Sequence, residues 1–169
     1  MVKNFMLIPI NTVNKLAIDK IIKCNEITSR YGLMISPVEA RELVETRAHA
    51  LNSTGRIEFS GGIINKMIQI FCDSSFLTQH NYVTTLNDLI ETFYYFKNET
   101  LDEISDDELI SLMKKYFDQN CQGSVELLQN RELETLARNI RYGVSNYSDL
   151  RANLRSDYEK YFSEEFDDE

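Results

Sequence analysis

An all-α fold is what the sequence predicts: a single-domain bundle of six or seven helices with short irregular or extended connections. Three observations predict it. Glycine and proline number only six and two in 169 residues, so the turns that many strands would need are missing. Apolar residues recur at three- and four-residue spacing along most of the chain. Two helix starts are written out as capping boxes, Ser36-Pro37-Val38-Glu39 and Ser105-Asp106-Asp107-Glu108.

The elements follow in order. Phe5 to Ile8 is a short apolar run that Pro9 stops, and it reads as extended. The first helix is predicted over 11–31, with Val13, Leu16, Ala17, Ile21, Cys24 and Tyr31 along one stripe and Gly32 at its end. Leu33 to Ile35 is a second extended piece. The second helix, over 37–51, has Pro37 at its first position and Ile35 with Ala40 as its hydrophobic staple. Asn52 to Gly55 is a loop, and Arg56 to Phe59 is extended. A third helix spans 62–72. The fourth, over 79–97, takes Thr78 as its cap, with Leu77 and Tyr82 as staple. Its apolar residues Val83, Leu86, Leu89, Ile90, Phe93 and Phe96 cover more than one face, which places it in the middle of the bundle. The fifth helix, over 106–118, is stapled by Ile104 and Leu109, and its acids Asp106, Asp107 and Glu108 favour the positive end of the helix dipole. "DQNCQG" is a loop, a sixth helix spans 124–142, and Gly143 ends it. A last helix over 147–162 carries Leu150, Leu154, Tyr158 and Phe162, and "SEEFDDE" frays. The chain thus divides into a helical domain, 1–143, and a C-terminal helical arm with an acidic tail, 144–169.

Charge narrows the function classes. The net charge is -9, and residues 157–169 hold seven acids against Lys160, so that segment carries -6 and residues 1–156 only -3. There is no basic run to track phosphates, so no nucleic-acid partner is expected. No segment reaches the ~20 apolar residues of a membrane helix, and the start lacks a secretory h-region. A cytoplasmic protein is expected, with no membrane partner. Cys24, Cys72 and Cys121 are odd in number and far apart, which suits buried free thiols and neither zinc nor a disulfide.

At "YGLMIS", "ETRAHALNSTGRIEFSGG", "FCDSS", "IETFYYFKNETLDEISDDELISLM" and "CQGSVELLQNRELE" the chain resembles a family of small bacterial proteins defined as a domain of unknown function. The likeness covers roughly residues 10–143. It implies a cytoplasmic bacterial protein. It brings no activity, substrate or catalytic residue.

On the second helix the stripe Ala40, Leu43, Val44, Arg47, Ala48, Leu51 aims Arg47 at the core. A guanidinium there needs a carboxylate, and Glu58 and Glu91 are the candidates. The ordinary reading is a structural ion pair; the functional one is an anion-binding arginine. Glu42, Glu45 and His49 share a helix face at metal-ligand spacing, but a solvated face explains them, and no metal is expected. His80 reads as exposed. Cys72 sits at a helix C-terminus, the wrong end of the dipole for a thiolate. The acids from Glu99 to Glu108 lack the glycine and spacing of a calcium loop. Tyr94, Tyr95, Phe96 and Lys97 read as core with one tyrosine at the rim. Gly61 and Gly62 bare amides that either make a turn or face an anion.

No catalytic motif appears, and no cofactor is expected. The first reading is therefore a non-enzymatic protein-interaction or regulatory module, with a protein partner or self-association through residues 147–162. The alternative is a small-anion or ligand-binding protein, or an enzyme, with its site between the second helix and residues 56–62. That site would use Arg47, Arg56, Glu58, Gly61 and Gly62.

Overall fold

The computed structural model describes residues 10–58 and 62–143. They form α1 (Ile10–Lys23), α2 (Asn25–Thr28), a 3-10 turn (Ser29–Tyr31), α3 (Pro37–Thr54), α4 (Ile64–Phe71), α5 (Tyr82–Glu99), α6 (Asp106–Gln119), α7 (Val125–Leu127), a π turn (Leu128–Leu133) and α8 (Glu134–Arg141). There is no strand among the described residues, and the fold is all-α. The extended piece at Phe5 to Ile8, the 147–162 helix and the acidic tail lie outside the described residues.

Both capping boxes form as the sequence predicts. The Ser36 hydroxyl accepts from the Glu39 amide at 3.2 Å, while Glu39 accepts from the Ser36 amide at 2.8 Å. Ser105 and Glu108 repeat the exchange at the start of α6. The staple residues Ile35, Ala40, Ile104 and Leu109 are all buried.

The first helix departs from expectation. It stops at Lys23 and continues as the separate short α2 and the 3-10 turn. Leu16 and Tyr31, read as part of its apolar stripe, are exposed. The cause lies in side chains that compete for backbone groups. Asn25 donates to the Ile35 carbonyl at 2.8 Å and accepts from the Ile35 amide at 2.9 Å. Thr28 donates to the Leu33 carbonyl at 2.8 Å. Gln79 makes the same reciprocal pair of bonds with Met34, at 2.7 and 2.9 Å. Residues 33–35 are thus held by side chains, the Thr28 hydroxyl and the Asn25 and Gln79 amides, instead of pairing as a strand.

The fourth predicted helix starts later, at Tyr82, because Asn81 folds back. Its side chain accepts from the Thr78 amide and donates to the Phe76 carbonyl, so Thr78 belongs to a turn and is no cap. As expected, this helix is central: α5 touches α3, α4, α6 and α7. Tyr82, Leu86, Leu89, Ile90, Phe93, Tyr94 and Phe96 along it are buried. Phe71 and Phe76 each meet Phe117 edge to face. α3 and α5 run side by side in the same sense. The Thr46 hydroxyl, midway along α3, meets Asn87 in the first half of α5 at 2.6 Å, and Asn98 donates to the Thr54 carbonyl near their ends at 2.9 Å.

Two lysines are buried: Lys97, in the stretch read as core, and Lys114, which carries no sequence signal. Lys97 donates to the Ile104 carbonyl at 2.6 Å and faces Asp106 at 2.9 Å. Lys114 lies between Asp118 at 2.5 Å and Asp73 at 2.9 Å. Each buried ammonium is matched by carboxylates that reach solvent, which limits the desolvation penalty.

Candidate functional site

Arg47 stands on α3 four residues after Leu43 and three after Val44, both buried. Gly55 takes the left-handed conformation (φ 68) that ends α3, and the Arg56 amide donates back to the Leu51 carbonyl. The chain turns here, and Glu58 comes back to Arg47. Arg47 Nη2 and Nε donate to Glu58 Oε2 at 2.6 and 3.0 Å. Tyr94, from α5, donates its hydroxyl proton to the same carboxylate oxygen at 2.8 Å, and Arg47 Nε reaches the Tyr94 oxygen at 3.2 Å. The Arg47 and Glu58 side chains are only 17% and 18% exposed, so this is a mostly desolvated knot. Burial acts to lower the Arg47 pKa, but hydrogen bonds to Glu58 and Tyr94 outweigh it and leave the guanidinium above its ordinary value. Burial, then the Glu58 carboxylate, pushes the Tyr94 phenol well above its ordinary range.

Gly62 completes the arrangement. It has φ 74, and a Cβ there would press on the Arg47 guanidinium, 2.7 Å from Cζ. Only glycine lets that backbone and the guanidinium lie so close. Of the five residues proposed for an anion site, the structure brings together Arg47, Glu58 and Gly62. Gly61 lies outside the described residues. Arg56 points elsewhere: it grips Asp102 through two bonds, at 2.7 and 3.1 Å, and donates to Asn98 at 2.8 Å. That hydrogen bonding holds the Asp102 carboxyl below the usual range. Glu91, the other partner considered for Arg47, lies on an exposed face.

The remaining candidates take up plain positions. His49 and His80 are exposed. Glu42 accepts from Asn87. Among the described residues no three His, Cys, Asp or Glu side chains are grouped to hold a metal. Cys24, Cys72 and Cys121 are free and buried, and burial raises the Cys24 and Cys121 thiols. Asp106 and Asp107 face Lys97 and Lys66, as caps and ion pairs do. Tyr94 is buried and its neighbour Tyr95 stands at the rim, half exposed.

One concavity went unseen in the sequence. A cleft of about 550 Å³ opens where the second half of α3 faces α5 and the π turn. His49, Ser53 and Thr54 line it from α3; Glu91, Thr92 and Tyr95 line it from α5; Gln129, Asn130 and Glu134 close the third side. Neither Arg47 nor Arg56 lines it. Gln129 donates to the Thr92 hydroxyl at 2.6 Å, and Thr92 passes its own proton to the Asp88 carbonyl at 2.6 Å, so the π turn is pinned to α5. Tyr95 lies edge to face with Phe96, ring centroids 4.9 Å apart. Glu91 makes no hydrogen bond or ion pair among the described residues. The only advance sign of the cleft was the Tyr94-Tyr95 pair, one residue bound inward and the next outward. The π turn has no signature in a 3.6-residue pattern.

No curated protein and no solved structure matches the chain. The sequence pattern of a family of unknown function, DUF6323, matches residues 20–146, three quarters of the chain's length, including α3, α5 and the π turn that form the cleft. The chain belongs to that family.

Proposed function

We propose that the protein is a non-enzymatic regulatory or interaction module that takes a small polar ligand in the cleft between α3, α5 and the π turn. The observation that carries this reading is the cleft itself. Its volume, about 550 Å³, falls within the range of small-molecule sites, and its lining is mostly polar side chains set around Tyr95, Phe96 and Ala50, which suits a small polar ligand. The π turn adds weight, since such turns concentrate at functional sites. Three buried free thiols and the resemblance to small bacterial proteins support a bacterial, cytoplasmic setting. An anion site at Arg47, Arg56, Glu58, Gly61 and Gly62 is the lesser reading, because an anion would have to displace Glu58 from Arg47.

The test is a protein-detected NMR screen of the full chain with a chemically diverse fragment set. Fragments that move the signals of Thr92, Tyr95 and Gln129 together are expected. A screen in which no fragment moves them defeats the reading.

A second reading, self-association or a protein partner through residues 147–162, is favoured by the three- and four-residue spacing of Leu150, Leu154, Tyr158 and Phe162. It treats 144–169 as an arm separate from the domain. Light scattering on the full chain and on a chain ending at Gly143 tests it: equal particle stoichiometry and equal stability in the two would remove it.

A further inference from the structure

We infer that residues 147–169 fold back along the bundle and cover an apolar, positively charged surface beside the start of α3. The inference does not depend on the cleft, and it keeps in cis the segment that the second reading above sends to another chain.

The surface stands out on two counts. Ile27, Tyr31, Met34 and Val38 are large apolar side chains left exposed in one short stretch of chain. A cluster of that kind marks a place where something docks. The cations beside it are also unmatched. Lys20, Lys23, Arg30 and Arg41 are exposed and make no ion pair among the described residues. Farther along the chain, Arg47, Arg56, Lys97 and Lys114 each face a carboxylate. Residues 10–34 hold four bases against two acids, whereas residues 35–143 hold ten bases against seventeen acids. An acidic segment is therefore attracted to this part of the domain and repelled by the rest.

Charge, pattern and reach name the occupant. Residues 157–169 hold seven acids against Lys160. Tyr158, Tyr161 and Phe162 supply apolar surface, and Glu164, Glu165, Asp167, Asp168 and Glu169 follow them. That order, apolar then acidic, complements Tyr31 and Met34 with Lys20, Lys23 and Arg30 alongside. Reach favours the chain's own segment over a second copy's. Arg141 faces Glu99 at 2.9 Å, which sets the end of α8 beside the end of α5. Met34 is bonded to Gln79, which sets the exposed surface beside the start of α5. The two places are thus about 27 Å apart, the length of α5. The helix that the spacing predicts over 147–162 is about 24 Å long. Leaving from Gly143 and lying back along the bundle, it brings Tyr158, Tyr161 and Phe162 level with Tyr31 and Met34.

The test uses full-length chains, unlabelled and 15N-labelled, mixed in equal amounts and treated with a water-soluble carbodiimide. This reagent joins a lysine amine to a carboxylate where the two touch, and mass spectrometry of the digest identifies the pairs. Links from Lys20 or Lys23 to the 164–169 peptide are expected, within one isotope only, from a particle that light scattering shows to be a monomer. Tyr158→Ser combined with Phe162→Ser leaves the domain's own core intact. It is expected to weaken docking about tenfold or more, to cut those links accordingly and to move the NMR signals of Ile27, Tyr31 and Met34. No link to Lys20 or Lys23, or link yields and NMR signals unaltered in the double variant, overturns the inference. Links between the two isotopes in a dimer also overturn it, since the cover is then a second copy's arm.

Discussion

Replacing Arg47 by alanine tests how much the knot at the end of α3 holds. Breaking one partner out of a fully buried ion pair costs about 3–5 kcal/mol, because a charge is left without compensation. Two features of the structure lower that figure. The Arg47 and Glu58 side chains retain 17% and 18% exposure, so water reaches the carboxylate left behind. Glu58 also keeps the Tyr94 hydroxyl at 2.8 Å. About 2 kcal/mol is the expected loss for Arg47→Ala, a fall in melting temperature of roughly 4–8 °C for a domain of this size. Glu58→Ala is expected to cost no less, since it strands both the guanidinium and the Tyr94 hydroxyl. Urea unfolding of the two single variants and the double variant gives the coupling energy directly. A coupling above about 1 kcal/mol is expected. Arg47→Ala within 0.5 kcal/mol of wild type, or a coupling near zero, would show that the pair is spectator chemistry.

Other outcomes follow from the same geometry. Gly62→Ala is expected to cost about 2 kcal/mol, from a left-handed backbone and a methyl group set against the guanidinium, and its loss should shrink in an Arg47→Ala background; equal losses in both would contradict the contact. Ser36→Ala and Ser105→Ala should each cost about 1 kcal/mol in urea unfolding, and a neutral result at either would deny its capping box. Asp102 is held below its ordinary pKa by Arg56, so its contribution is present above the unfolded carboxyl pKa and is lost as pH falls through the folded one. Asp102→Asn should therefore flatten stability against pH on the acid side, and an unchanged acid limb would count against it. Tyr94 is raised, so the sign reverses. Its contribution holds below the unfolded phenol pKa and fades as pH rises toward the folded one, and Tyr94→Phe should lack that alkaline loss in absorbance-monitored melts.

The elements most legible in sequence were those set by local chemistry. The boxes at Ser36 and Ser105 form because their partners lie three residues away, and their staples are buried for the same reason. Arg47 was legible as a charge in need of a partner because helical spacing fixed its direction, and Glu58 was near enough in sequence to be named. Tyr94, far off on α5, was not named, although it touches both. The break after Lys23 was missed because it comes from Asn25 and Thr28 bonding to residues 33 and 35, a competition that apolar spacing does not record. The burial of Lys114 and the cleft depend on how helices meet, and no single stretch of sequence carries that.

The π turn sets the phase of everything after it. Leu128 and Leu133 are both fully buried and five residues apart. In an α-helix that spacing separates two side chains by roughly 140°. Hydrogen bonds running five residues back bring them round to one side, and α8 then resumes with Leu136 and Ala137 already turned inward. The turn therefore behaves as one residue inserted into a helix without being looped out. Removing a single residue between Leu128 and Leu133 would let ordinary α-helix close across the gap with the two leucines four apart and still on one side, so α8 would keep its facing. Leu136 and Ala137 would still turn toward the core and Glu134 toward the cleft. A one-codon deletion inside the turn is thus absorbed, whereas the same deletion within α8 itself would swing every side chain after it by about 100°.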